Sequence, residues 1–378
     1  MIYLISPVDV FAINGGAIVR KMTAYYMMKQ HKEVTIVMPG SYKGNDFNVI
    51  NTPLIKFRRS SYFLECLGII EDRSLDWINK TFKLLRRVIT SNDIVLATPG
   101  GEFAPIILGS RLKKQTGCKF VINSHDPLDF TSLGGKLPRK AKFPHINRDR
   151  IEKKYLSVAD CIITNTISYK EELQRKYPLI KDKIYSCYFG YAYPEIPRDN
   201  ELPHGKIINI VYGGNFGIYQ CPEILAQAVK GNSNIHLYYV GNHRVNRNLD
   251  EFRNESNISF VDLMPQEQYL QFLKSKIDVG FLSLKGSLAS YCVPSKLYDF
   301  INFTIPVIGV VDGDASRIIS ERGYGITSDY SVEGVKDAIN KIVQPSFYEN
   351  CVKRLVEDHD MWSMQEKIKN ILHIIDSI

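Results

Sequence analysis

The sequence CVPSKLYDF at residues 292–300, followed by the apolar run IPVIG at 305–309, is the most informative stretch for predicting the fold. Ser295 precedes a short helical pattern as a capping hydroxyl, and Lys296 and Asp299 lie within its first turn. A helix N-terminus favours phosphate, Lys296 adds a positive charge, and a carboxylate accepts hydrogen bonds from sugar hydroxyls. These groups suit a nucleotide-linked sugar. The alternative is an ordinary capped helix packed beside a strand.

Short apolar strands alternate with longer amphipathic segments in both halves of the chain, which is the pattern of βα units and parallel sheets. Strands are predicted at 2–6, 34–38, 94–97, 119–123, 161–164, 207–212, 235–240, 258–260, 279–282 and 306–310. Helices are predicted at 16–30, 75–89, 148–157, 221–229, 266–274, 295–302 and 332–342. The pattern therefore predicts an α/β protein with two Rossmann-like, doubly wound domains. Ligands are expected at the carboxyl ends of the strands, in a cleft that the two domains face.

The domain boundary is predicted in the segment 194–205, which has three prolines and no hydrophobic periodicity. The linker is set at 196–205, so that the first domain covers 1–195 and the second covers 206–345. No low-complexity tract or short repeat interrupts either half.

Composition is that of a globular protein, with 44% hydrophobic and 23% charged residues in 378. The seven cysteines are scattered and none forms a C-x-x-C pair, so disulfides and a zinc site are not expected. No apolar run approaches the ~18 residues of a membrane span, and the N-terminal residues read as a first strand rather than a signal peptide. A reduced, cytoplasmic setting is therefore predicted.

Positive charge is concentrated in the first half of the chain. Residues 1–200 contain 31 Lys and Arg against 19 Asp and Glu, whereas residues 201–378 contain 17 against 21. The segment 131–154 contains eight basic residues and two acidic ones. This asymmetry predicts an anionic partner, either an acidic membrane surface or a phosphate-bearing acceptor. Nucleic acid is not expected, because no recognised binding motif is present; the alternative is a solvated basic face.

Two glycine pairs follow strands in the first half. Gly15 and Gly16 precede a helix, where paired glycines allow close approach of a ligand to the backbone, although a tight turn is the favoured interpretation of an isolated glycine pair. Gly101 and Glu102 follow the strand at 94–97. Glu102 either enters the site or stabilises a helix N-terminus, and the second reading is favoured.

A histidine and an aspartate follow the predicted strand at 119–123. His125 can bind acceptor or sugar, with Asp126 fixing its tautomer or acting as a base. A polar turn is the alternative.

A third glycine-rich loop, at 213–217, follows the first strand of the second half and is suited to lining a diphosphate. Arg244 follows the next strand and is either a phosphate-contacting cation or a solvated loop residue. The D-x-D spacing of Asp312 and Asp314 resembles a metal-binding pair, but Asp-Gly is also a strong turn signal, and the turn is the favoured interpretation.

Taken together, these residues resemble the GT-B-fold glycosyltransferases, and most closely the retaining group called family 4. The second half carries most of the resemblance, in the segments 213–217, 257–265, 277–282, 293–300 with 305–308, and 361–363. In the first half, only Gly15-Gly16 and His125-Asp126 match. The family's paired glutamates are altered here, because Tyr291 stands at the first position and the shorter Asp299 at the second. The Arg and Lys that usually follow the glycine loop are also absent.

The resemblance implies a hexosyltransferase-like enzyme that moves a sugar from a nucleotide-sugar donor to a cell-surface glycan or lipid-diphosphate-linked acceptor, with retention. It implies a last segment, 346–378, whose helix crosses back to the first domain. No metal or other cofactor is expected, and the protein is expected in the cytoplasm, peripherally on the inner face of the membrane. The implied donor-binding residues are Gly214, Asn215, Arg244, Leu263, Ser295, Lys296 and Asp299; the catalytic residues are His125 and Asp126; the acceptor-binding residues are Gly15, Gly16 and Gly101.

Two alternatives stay open at this point. One is a nucleotide-sugar epimerase of the same fold, and the other is a non-catalytic glycan- or nucleotide-binding relative. Because the first glutamate is replaced by Tyr291, the second alternative has a specific basis in the sequence.

Overall fold

The computed structural model describes residues 1–12, 15–56, 59–128, 148–193, 207–214, 216–217, 219–286 and 290–378. The chain forms two compact units, one from Met1–Tyr188 with Met364–Ile378 and the other from Phe189–Ser363. The predicted linker at 196–205 lies outside the described residues.

The first unit is built on a seven-stranded parallel sheet. Its strands are β1 (Ile2–Ile5), β2 (Val34–Pro39), β3 (Asn48–Thr52), β4 (Ile94–Ala97), β5 (Lys119–Ser124), β6 (Cys161–Thr164) and β7 (Ile184–Ser186). Its helices are α1 (Gly15–Lys29), α2 (Arg59–Cys66), α3 (Leu75–Leu85), α4 (Ala104–Thr116), α5 (Arg148–Leu156), α6 (Ile167–Lys176) and α13 (Met364–Asp376). The strand order is β3-β2-β1-β4-β5-β6-β7.

The second unit is built on a six-stranded parallel sheet, in the order β10-β9-β8-β11-β12-β13. Its strands are β8 (Ile208–Gly214), β9 (Ile235–Gly241), β10 (Ile258–Val261), β11 (Val279–Ser283), β12 (Val307–Val310) and β13 (Gly325–Thr327). Its helices are α7 (Glu223–Val229), α8 (Gln266–Lys276), α9 (Lys296–Asn302), α10 (Gly313–Glu321), α11 (Val332–Ile342) and α12 (Pro345–Glu357).

Both sheets have the doubly wound order, so the predicted fold class is confirmed. In such a sheet the strand order reverses between the first and fourth strands, which leaves a crevice at their carboxyl ends. The reversal lies between β1 and β4 in the first unit and between β8 and β11 in the second. The loops that follow these strands are therefore the places where ligand sites are expected.

The C-terminal segment 346–378, predicted as one crossing element, is divided between the units. Tyr348 of α12 is buried in the core of the second unit, and its hydroxyl donates to the Asp278 carbonyl at 3.1 Å. By contrast, α13 packs on α1 of the first unit, where Lys32 pairs with Asp376 at 2.9 Å. The division falls at Ser363 because buried Trp362 is held by the Tyr324 hydroxyl at 2.8 Å.

One glycine determines how closely α9 packs on the second sheet. A Cβ on Gly280 of β11 would lie 2.5 Å from the ring of Phe300, which is fully buried on α9. Real Cβ contacts are essentially never that short, so the helix can occupy its place only because residue 280 has no side chain. Lys296 and Asp299 are carried on this helix.

We predict that Gly280→Ala lowers the free energy of unfolding by ~1–3 kcal/mol, because overpacking forces Phe300 and its helix outward. Thermal unfolding followed by circular dichroism measures the effect. The double variant Gly280→Ala/Phe300→Leu replaces the opposing ring with a smaller side chain. Its loss of stability relative to Phe300→Leu alone should therefore be smaller than the loss that Gly280→Ala causes in wild type. Wild-type stability of the single variant would contradict the packing argument.

Candidate functional site

A buried arginine joins the three loops at the strand ends of the first unit. Arg20, one turn into α1, is 4% exposed, and its Nη1 donates to the Gly16 carbonyl at 3.1 Å. Its Nε and Nη2 donate to the Thr98 carbonyl at 3.0 and 2.7 Å. The same Nη2 lies 3.7 Å from Oε1 of Glu102. The glycine pair at 15–16 and the loop after β4 are therefore bound to one guanidinium.

The loop after β5 reaches the same arginine. Gly100 and Asp126 form a parallel bridge, and a Cβ on Gly100 would lie 3.1 Å from Arg20 Nη2, 3.6 Å from Glu102 Oε2 and 3.7 Å from Asp126 Oδ2. One cation and two carboxylates thus converge on a position where only glycine leaves room. Burial raises the pKa of Glu102 and of Asp126, while the charge of Arg20 opposes the rise in both.

His125 is 5% exposed and is fixed through its backbone. Its N–H donates to the Pro99 carbonyl at 2.9 Å, and its carbonyl accepts from Asn165 Nδ2 at 2.6 Å. Burial lowers the pKa of the imidazole well below its ordinary value, and the nearby Arg20 lowers it further. The ring is therefore neutral at pH 7, the form that accepts a proton.

The sequence-predicted residues of the first unit thus come together, since Gly16, Gly101, His125 and Asp126 all lie in loops around Arg20. Gly15 and Gly16 are exposed at the start of α1, and Gly101 adopts a φ of +96°. Glu102, for which a structural role was favoured, accepts from the Gly100 N–H at 2.8 Å and lies near Arg20. Sequence reasoning missed Arg20, although a charged residue one turn after Gly16, directly following the apolar run 17–19, was an available signal.

The second unit holds a different cluster, centred on Tyr269 of α8. Lys296 Nζ lies 4.1 Å from the centroid of the Tyr269 ring and donates to Asp299 Oδ2 at 3.1 Å. A Cβ on Gly213, near the end of β8, would lie 2.3 Å from the Tyr269 hydroxyl. The ring therefore connects the glycine-rich strand end to the lysine of α9, two features that the sequence predicted separately. Nothing in the sequence distinguished Tyr269 among 22 tyrosines.

The Tyr269 hydroxyl is buried, and no described residue forms a hydrogen bond with it. Burial raises its pKa well above the ordinary value, and the charge of Asp299 adds to the rise. The hydroxyl thus stays protonated, and the ring presents a neutral face to the ammonium of Lys296. Lys296 and Asp299 keep 24% and 17% of their side-chain surface exposed, so both remain open to a ligand.

The predicted cap of α9 is wrong. Ser295 has helical backbone angles and its side chain makes no capping hydrogen bond, so the helix begins at Lys296. The helix has only seven residues, and one carboxylate of its first turn already pairs with Lys296. The positive character at this site therefore depends on the lysine side chain more than on the end of the helix.

Two predicted donor-binding residues lie away from this cluster on the surface. Arg244 pairs with Asp262 at 3.0 Å, with both side chains about 70% exposed, and Leu263 is 73% exposed. No contact among the described residues joins them to Lys296. Gly214 ends β8 with a φ of +134°, and an added Cβ there would meet nothing within 4 Å. Asn215 and most of the basic segment 131–154 lie outside the described residues.

The Asp312-Gly313-Asp314 sequence forms the start of α10, so the predicted turn is a helix start instead. Gly313 has a φ of +62°, and a Cβ on it would lie 2.2 Å from the Ser290 carbonyl oxygen. Asp314 is fully buried and pairs with Arg317 at 3.1 Å. In the described part of the chain, no group of three or more His, Cys, Asp or Glu is placed to hold a metal ion.

No helix among the described residues has both the length and the apolar character needed to cross a membrane.

Comparisons with known proteins give the fold but no sequence family. No protein-family model matches the sequence, and no curated protein matches it significantly. Anabaena HepE, solved with UDP and glucose, aligns with a TM-score of 0.71 at 10% identity, over 100% of this chain and 99% of that one. The trehalose-6-phosphate synthase OtsA aligns over the same shares with a TM-score of 0.73 at 10% identity. This chain has the GT-B fold.

A third structure is the apo form of the lipopolysaccharide outer core galactosyltransferase WaaB. It covers 100% of this chain and 99% of its own, with a TM-score of 0.67 at 13% identity. At such identities the likeness is one of fold alone, so residue roles must be argued from the two clusters themselves.

The depressed pKa of His125 predicts a pH-dependent stability. Because the unfolded imidazole binds a proton below ~6.5 and the buried one does not, acid favours the unfolded state. The advantage of wild type over His125→Gln in free energy of unfolding should therefore shrink as pH falls from 7.5 to 5.5, by up to ~1.4 kcal/mol per pH unit.

Urea unfolding at a series of pH values measures this difference. The raised pKa values of Glu102 and Asp126 act in the opposite direction, but both carboxylates are present in both proteins and largely cancel in the comparison. His373→Gln, at an exposed histidine of α13, is the control for removal of an imidazole outside the buried cluster. Parallel profiles for wild type and His125→Gln would contradict a neutral buried histidine.

Proposed function

We propose that this protein is a glycosyltransferase that moves a sugar from a nucleotide-sugar donor to an acceptor. The observation that carries the proposal is the cluster of Lys296, Asp299 and Tyr269 beside Gly213, at the strand ends of a GT-B-type sheet. The fold likeness supports it, because the neighbours include HepE solved with UDP-glucose and WaaB described as a galactosyltransferase.

Transfer of a sugar from a nucleotide diphosphate requires charged groups of the kind that this cluster contains. Breaking the anomeric C–O bond places negative charge on the nucleotide diphosphate and positive character on the sugar. A fixed ammonium stabilises that developing negative charge in a site that excludes water, and no metal is required for this step. In our proposal Lys296 binds the diphosphate, with its ammonium placed by the Tyr269 ring and the Asp299 carboxylate. Asp299 also accepts from hydroxyl groups of the donor.

The glycine-rich end of β8 completes the proposed donor site. Gly214 has open space where a side chain would be, so a ligand can approach its backbone closely. We assign Gly214, Asn215 and Ser295 to the donor as well, with Arg244 and Leu263 at an outer position near Asp262. The last two are the weakest members of the set, because their side chains are largely exposed.

We assign the acceptor to the loops around Arg20 in the first unit. A neutral His125 is suited to forming a hydrogen bond with an acceptor or sugar hydroxyl, and Asp126, whose pKa is raised by burial, is suited to acting as the base. Gly15, Gly16 and Gly101 offer exposed backbone for the acceptor to approach. The finer proposal is a hexosyltransferase of the retaining family 4 type, acting in the cytoplasm on a cell-surface glycan or a lipid-linked acceptor.

The proposal is tested with a panel of sugar nucleotides, by thermal shift for binding and by product analysis for transfer to glycan and lipid-diphosphate acceptors. Stabilisation by one donor and transfer of its sugar are expected. Release of an altered nucleotide sugar without acceptor would indicate an epimerase, and binding without any turnover would indicate a non-catalytic relative. No binding by any donor would contradict the proposal.

Lys296→Met should weaken donor binding by about tenfold to a hundredfold, which corresponds to the loss of ~1.5–3 kcal/mol from a charged hydrogen bond. Titration calorimetry with the donor identified by the panel measures it. Lys276→Met, on the same unit but over the Tyr238 ring, is the control for charge and should leave affinity unchanged. If wild type and Lys296→Met bind the donor with equal affinity, Lys296 is not part of the donor site.

A further inference from the structure

A cavity of about 540 Å³ lies in the first unit, and its described lining contains none of the residues predicted for donor, acceptor or catalysis. Its walls come from the segment 68–72, the first residue of α3, and the helices α4 and α5. The volume falls within the ~300–1,000 Å³ of small-molecule sites. The cavity is thus large enough for a ligand of its own.

One side of the cavity is aliphatic. Ile107 of α4 and Ile151 of α5 are buried at its base, whereas Ile69 is 65% exposed at its edge. Two further exposed apolar side chains precede Ile69 in sequence, Phe63 at 52% and Leu67 at 43%. Exposed branched side chains that continue into a lined cavity are typical of a surface that binds an apolar ligand.

The acidic side chains of the cavity already have partners. Glu71 accepts from Lys154 Nζ at 2.5 Å and from the Tyr155 hydroxyl. Asp72 accepts from the backbone N–H groups of Ser74 at 2.7 Å and Phe103 at 3.1 Å. These carboxylates therefore pair with Lys154 and accept from backbone donors, and neither forms an ion pair with Arg111 or Arg150.

Two arginines of the lining keep their charge available. Within the described part of the chain, Arg111 of α4 donates to the neutral Asn79 side-chain carbonyl oxygen at 2.7 Å, and its charge helps to lower the pKa of Glu71 without a direct ion pair. Arg150 of α5 is exposed and forms no ion pair with any described residue. Guanidinium groups bind phosphate oxygens through paired, charge-assisted hydrogen bonds. The cavity thus combines an aliphatic wall with two guanidinium groups that form no direct ion pair with any described residue.

We propose that this cavity binds a single amphiphile that carries a phosphate group on an aliphatic chain. The chain lies against Ile69, Ile107 and Ile151, and the phosphate lies between Arg111 and Arg150. The occupant is an individual lipid phosphate rather than the surface of a bilayer, because Ile107 and Ile151 of the apolar wall are buried within a half-open cleft and only Ile69 is largely exposed.

The position of the cavity relates this ligand to the acceptor loops, in an extension that rests on the proposed function. Asp72 of the lining binds the N–H of Phe103, the residue after Glu102. Arg148 lies 4.6 Å from the centroid of the Phe103 ring and donates to the Gly101 carbonyl at 2.8 Å. The cavity and the Arg20 cluster thus share the segment 101–103, and the amphiphile is assigned as the carrier end of a lipid-linked acceptor.

The site is tested by calorimetric titration of the full chain with octyl phosphate, kept below the concentration at which it forms micelles. Octanol and inorganic phosphate are titrated in parallel as the separate halves of the ligand. Octyl phosphate should bind at least about tenfold more tightly than either half. Hexyl phosphate should bind more weakly, by up to about fourfold for each methylene removed.

Variants at exposed positions connect the binding to the cavity without disturbing the core. Arg150→Gln and Ile69→Ser should each weaken the binding of octyl phosphate by about tenfold or more. The first removes a guanidinium that binds the phosphate, and the second removes part of the aliphatic wall that contacts the chain. Lys153→Gln removes a neighbouring charge of α5 that does not line the cavity and should have no effect. Circular dichroism and thermal unfolding confirm that each variant is folded.

The proposal is overturned if octyl phosphate binds no better than inorganic phosphate, if Arg150→Gln and Lys153→Gln have equal effects, or if binding appears only with phospholipid vesicles. A parallel titration with the sugar-nucleotide panel separates this result from the proposed function. Donor binding without octyl phosphate binding rejects the cavity alone, and the reverse result rejects the donor proposal alone.

Discussion

The contact between Gly280 of β11 and the Phe300 ring of α9 determines where the chemistry of the second unit can lie. It allows the helix to pack closely on the sheet, while Ile305 N donates to the Phe300 carbonyl at 2.9 Å and begins the turn into β12. Tyr298 of the same helix packs against Trp362 with ring centroids 5.9 Å apart. With its buried face held in this way, α9 presents Lys296 and Asp299 on its partly exposed side.

The two units hold their charged groups by different physical means. In the first, Arg20 is buried, and burying a charge is unfavourable unless its donors are satisfied. The carbonyls of Gly16 and Thr98 satisfy them, so the loops around Arg20 are fixed relative to one another. In the second, Lys296 and Asp299 are partly exposed, and an aromatic face holds the ammonium. The first arrangement suits a preorganised polar site, and the second suits binding and release of an anion.

The sequence predicted the fold because short apolar runs of strand length alternate with longer amphipathic segments along both halves of the chain. The strands that it missed, β3, β7 and β13, lie at or near sheet edges and carry mixed polar and apolar residues. The loops around Gly16, His125 and Lys296 were found because glycines and charged residues directly follow strands. Arg20 and Tyr269 were missed, because their roles come from contacts between elements distant in sequence. The capping role of Ser295 was wrong for a local reason, since its backbone is helical.

The central claim, that the donor binds around Lys296 and Tyr269, is tested most directly by hydrogen exchange with and without UDP. We predict slower amide exchange at the end of β8 near Gly213, at the start of α8 and in α9, with no change in α6 of the first unit. If UDP stabilises the protein but slows amide exchange only in other segments, the donor does not bind around Lys296 and Tyr269.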